Sequence, residues 1–63
     1  MVKNTVNMRY NYIDEDGILV RTVCRAYTQS GEAMIAYVNI DKGGYASDIY
    51  LMEESMFKSR FGI

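Results

Sequence analysis

EAMIAYVNIDKGGYASDIYL (Glu32 to Leu51) decides the fold. Its first nine residues, Glu32 to Ile40, alternate as a strand does, yet both faces are apolar. Ala33, Ile35 and Tyr37 point one way, and Met34, Ala36, Val38 and Ile40 point the other. Such a strand is expected between two layers. Asp41 to Gly44 then makes a turn, because glycine accepts left-handed backbone angles at little steric cost. Tyr45 to Leu51 follows as a strand folded back on the first.

Working outward, the same period of two recurs. Thr5 to Ile13 places Val6, Met8, Tyr10 and Tyr12 on one face, against Thr5, Asn7, Arg9 and Asn11 on the other. Asp14 to Gly17 is the next turn signal. Ile18 to Thr28 carries Ile18, Val20, Thr22, Cys24 and Ala26 on one face. Leu19, Arg21, Val23, Arg25 and Tyr27 occupy the other. Thr28 to Gly31 closes that strand with a further turn.

The tail MEESMFKSRFGI (52–63) changes period: Met52, Met56 and Phe57 recur at helical spacing, and Phe57 and Phe61 lie four apart. Glu53 and Glu54 come early and Lys58 and Arg60 late, as the helix dipole prefers. Gly62 is placed to stop the helix. The expected fold is therefore mainly β, one domain over residues 1–63. A four-stranded antiparallel meander curls into a small SH3-like barrel, with a short C-terminal helix over one open end.

A chain of 63 residues has a thin core and normally needs a staple. Cys24 is the single cysteine, so no internal disulfide forms, and with no histidine the ligand set for zinc is poor. Self-association is the staple that remains, through the second apolar face of strands two and three. No cofactor or metal is expected.

Other classes are disfavoured on similar grounds. The formal net charge of −1 argues against a general nucleic-acid binder. No segment approaches the ~18 apolar residues of a membrane span. A free cysteine without a secretory signal fits a reducing cytoplasm. Without histidine, and with Cys24 expected as a small core hydrophobe, catalysis has no obvious nucleophile or base. The carboxylates fall in turns and at the helix start, where solvation explains them. A calcium loop that puts Gly17 sixth puts Tyr12 first and Val23 twelfth, so that motif fails.

The segments YNY, DG, AYTQSGEAMIAY and LMEESMF resemble a family of short bacterial and phage domains, domain of unknown function sixteen-fifty-three. The resemblance implies a compact β-barrel-like fold and a bacterial or phage origin, with no activity attached. The family's Arg-Pro pair and early histidine have no counterpart here, so nothing tied to them carries over.

What remains is arginine and tyrosine. Arg21, Arg25 and Tyr27 are expected on one strand face, with Tyr37 and Tyr50 nearby. Such a set can hold a phosphate and stack on a base. Six tyrosines and five methionines exceed what one thin core needs, and both types favour interfaces. The functional expectation is a self-associating, non-enzymatic binding protein, in a phage setting one that captures a nucleotide-type ligand or blocks a host defence protein. The alternatives are an inhibitor or adaptor acting through a strand edge or the helix, and a small nucleic-acid-binding barrel.

Overall fold

Three turns of one design set the strand order. Each begins with Asp or Thr and has glycine fourth: Asp14 to Gly17, Thr28 to Gly31 and Asp41 to Gly44. In each, the glycine N–H donates to the first residue's carbonyl, at 2.9 to 3.0 Å. The first residue's side-chain oxygen accepts the N–H of the fifth residue: Ile18, Glu32 or Tyr45, at 2.9 to 3.0 Å. The three glycines take φ between 82° and 91°, the left-handed region that closes a three-residue hairpin loop. Gly43 differs from Gly44: a Cβ there would lie 3.1 Å from the Tyr45 ring, so its smallness makes room rather than bend.

The computed structural model describes residues 5–63. These turns join β1 (Asn11–Ile13), β2 (Leu19–Tyr27), β3 (Ala33–Ile40) and β4 (Tyr50–Glu53), followed by α1 (Glu54–Phe61). The sheet is antiparallel in the order β1-β2-β3-β4. Strands β1 and β4 are its two edges, so it is an open sheet and not a closed barrel.

Two expected strands are shorter. Of Thr5 to Ile13, only the last three residues are strand; the chain turns at Met8 and Arg9, and Arg9 takes φ 55°. That break delivers Val6 to the core and leaves Tyr10 52% exposed. Buried Thr22 holds the segment: its hydroxyl donates to the Asn7 carbonyl (2.6 Å) and accepts the Tyr10 N–H (3.1 Å). The expected fourth strand, Tyr45 to Leu51, pairs at its start only by an isolated bridge from Ala46 to Ile40. Regular pairing resumes at Tyr50, opposite Tyr37.

Strand β2 carries the decisive irregularity. Thr22 pairs with Tyr37, and Cys24 pairs with Ala36, so Val23 is an extra residue, a β-bulge. A bulge shifts the alternation by one residue and exchanges the faces beyond it. Before it Val20 and Thr22 face the core; after it Arg25 and Tyr27 take that side, opposite Ile35 and Ala33.

The helix lies on this face, not over an end of the strands. Phe57, fully buried, meets Tyr12 edge-on at 5.6 Å and Tyr37 at 5.8 Å. Val6, Val20 and Ile35 complete the core. Gly62 caps the helix in the left-handed region, and its N–H donates to the Lys58 carbonyl. The helix is tied at both ends. Arg25 Nε donates to Glu54 Oε1 at 2.7 Å near its start, and Arg60 donates to Asp14 Oδ2 at 3.1 Å near its end. Asp14 and Glu54 are thus anchors, with side chains only 6% and 20% exposed, rather than solvated charges.

Candidate functional site

Among the described residues, the face opposite the helix has no covering layer. Its positions follow from the register, since paired residues share a face. Strand β3 contributes Met34, Ala36, Val38 and Ile40. Strand β2 adds Leu19, Cys24 and Ala26, and the edges add Ile13 and Leu51. Ile13 is 63% exposed and Leu51 61%. The expectation that β3 is apolar on both sides holds, but among the described residues only the helix side has a layer against it.

Cys24 is exposed on this open face rather than buried in the core. The Val23 bulge is the cause, because it exchanges the two faces beyond Thr22 and so turns Cys24 outward.

At one end the face runs into a cleft of about 670 Å³. Ile13, Leu19 and Ile40, which share the open face, line it together with Ile18, Tyr45 and Lys42. Asn39 also borders it, and its Oδ1 is buried without a hydrogen-bond partner.

The five expected ligand-binding residues do not form one cluster. Arg21 lies on the open face, where its Nε donates to Asn11 Oδ1 at 2.8 Å. Arg25 lies on the helix face, engaged by Glu54 and by the Val6 carbonyl, which accepts from its Nη2 at 3.0 Å. Its guanidinium is held charged above the ordinary value, chiefly by the hydrogen bond to Glu54. Tyr27 is exposed at the end of β2. Tyr37 is buried in the core with its ring 5.9 Å from that of Tyr50, which is half exposed at the β4 edge. The expectation that Arg21, Arg25 and Tyr27 share a face is overturned by the bulge: two guanidinium groups on opposite sides of a sheet cannot grip one phosphate.

Among the described residues, no group of three or more His, Cys, Asp or Glu side chains is placed to hold a metal ion. No helix among them is long and apolar enough to cross a membrane. The residues that sequence reasoning missed as a site are Leu51, Val38 and Ile13. The signal for Val38 was present in the two-sided apolar pattern of Glu32 to Ile40, whereas Ile13 and Leu51 join the face only through their pairing with Leu19 and Ala36. No family model, curated protein or solved structure matches this chain. The family resemblance therefore stands on the quoted segments alone.

Proposed function

We propose that this protein is a small, non-catalytic binding protein that self-associates through the open face of its sheet. One observation carries the reading: an apolar surface runs across all four strands, and among the described residues nothing is layered over it. Soluble monomers rarely leave such surfaces bare, and contiguous apolar patches mark contact sites. Covering it with protein also supplies the staple that a 63-residue chain otherwise lacks. We place the protein in a reducing cytoplasm, where the exposed thiol of Cys24 stays free. Nucleotide capture by Arg21 and Arg25 draws no support from the geometry, because the sheet separates them.

Sedimentation velocity over a concentration series tests this. The wild-type protein is expected to sediment as a dimer at micromolar concentration and to dissociate on dilution. Leu51→Lys, which puts a charge on the open face, should give a monomer with its melting temperature, measured under dissociating conditions, almost unchanged. A wild-type chain that stays monomeric up to millimolar concentration would sink the reading.

A further inference from the structure

The open face carries two opposite charges, and their placement is self-complementary. Within its paired strands only Arg21 and Glu53 bring charge to this side, among the described residues. Arg21 sits on β2 opposite Val38, and Glu53 sits on β4 opposite Met34. Both Val38 and Met34 belong to β3, the strand between, and Ala36 lies midway between them. Ala36 therefore marks the midpoint of the line from Arg21 to Glu53. The two charges are about 13 Å apart along the strands and about 10 Å apart across them, from ordinary strand rise and spacing.

We propose that the partner on this face is a second copy of the chain, related by a two-fold axis that lies in the interface above Ala36. This rests on the self-association proposed above and specifies its geometry. An axis perpendicular to the Arg21–Glu53 line exchanges the two positions. Arg21 of each copy then meets Glu53 of the other, giving two equivalent ion pairs, as an isologous contact requires. The same operation lays Leu51 of each copy over Val38 of the other. It makes the strands of the two sheets cross at roughly 70°, near the orthogonal class of sheet packing.

Three features favour this occupant over a foreign protein. The face bears one positive and one negative charge in positions that a copy of itself answers. Its centre is a small residue, Ala36, only 5% exposed, so the middle of the two sheets can close without a bulky obstruction. The fold is also flat, 36 × 29 × 18 Å, and its broad side is of the order of the ~800 Å² per partner found in standard interfaces. The cleft around Ile13 and Ile40 lies away from the axis and stays open in this arrangement.

Charge exchange tests the geometry by sedimentation equilibrium. Arg21→Glu faces two carboxylates in each pair and Glu53→Arg two guanidinium groups. Each single variant should weaken the dimer roughly 100-fold or more, since like charges set against each other in an interface are strongly disfavoured. The double variant, Arg21→Glu with Glu53→Arg, restores opposite charges and should return to within about tenfold of wild type. Circular dichroism melting of each variant, read as monomer, controls for folding. Single variants that dimerise like the wild type, or a double variant no better than the singles, overturn this geometry. If Leu51→Lys still abolishes the dimer in that case, self-association through the face survives. A wild-type chain with no dimer removes both.

Discussion

The two faces of one sheet are built from the same strands and end up as different surfaces. On the helix side Phe57, Ile35 and Val20 are fully buried, and ion pairs clamp the helix at both ends. On the other side Ile13 and Leu51 are more than half exposed. What separates them is less composition than phase. Val23 is an extra residue in β2, and it sends Arg25 to the helix and Cys24 to the open side. A strand that kept Val23 in regular alternation would bring Cys24 and Ala26 to the core face and carry Arg25 away from Glu54. The bulge therefore allots an anchor, Arg25, to one face and two small residues, Cys24 and Ala26, to the other.

Lengthening β2 by one residue after Val23 is the most severe way to break this contrast. The ladder must then expel two residues or slip its pairing with β3 by two. Slippage carries Arg25 two residues along the strand, away from Glu54, and either outcome disturbs the pairing that seats Ile35. Marginal stability for a small domain is only ~5 kcal/mol, so the insertion should abolish cooperative unfolding. Urea titration followed by near-ultraviolet tyrosine dichroism reads this directly. An insertion variant with the wild-type midpoint would show that the register of β2 sorts nothing.

A milder comparison sets one truncation on each face. Phe57→Ala removes a fully buried ring and should cost about 3–5 kcal/mol. Leu51→Ala removes a side chain that is 61% exposed and should change monomer stability by no more than about 0.5 kcal/mol. Chemical denaturation at concentrations where the chain is monomeric makes the measurement. Equal costs would mean that the open face is already packed within a single copy.

Much of this was legible in the sequence where local chemistry decides. The three Asp/Thr-x-x-Gly turns, the helix of the tail, which starts at Glu54 rather than at Met52, and the stop at Gly62 are set by neighbours in the chain. The apolar character of both sides of β3 was legible too. The bulge was not, because Val23 is as good a strand residue as its neighbours, and only the pairing with β3 makes it extra. Every misplacement on β2 follows from that one residue: Cys24 expected inside, and Arg25 expected beside Arg21. The sheet stays open for a related reason. Edge strands of three and four residues are too short to meet, and a helix on one face removes the need to curl. The anchoring roles of Asp14 and Glu54 were also hidden, since their partners lie 46 and 29 residues away.

The smallest expected effect concerns the anchor at the helix end, and pH exposes it. The Asp14 carboxyl is held below its ordinary value of 3.8, chiefly by the Ile18 N–H that donates to Oδ1 at 2.9 Å. Partial burial opposes that shift, while Arg60 and the Asp16 N–H add to it. The folded state thus keeps the charged form more strongly than the unfolded state does. The resulting stability is fully present above the unfolded value near 3.8 and is lost as pH falls through the lower folded value. Asp14→Asn should melt lower than wild type at pH 7, with the gap narrowing as pH drops below about 3.8. Arg60→Met should keep part of the acid dependence, because a backbone N–H and not the guanidinium is the main cause of the shift. Thermal melts of the three proteins between pH 2 and pH 7 decide it. If Arg60→Met behaves as Asp14→Asn does at every pH, the ion pair and not the turn controls this carboxylate, and the helix end is anchored by charge alone.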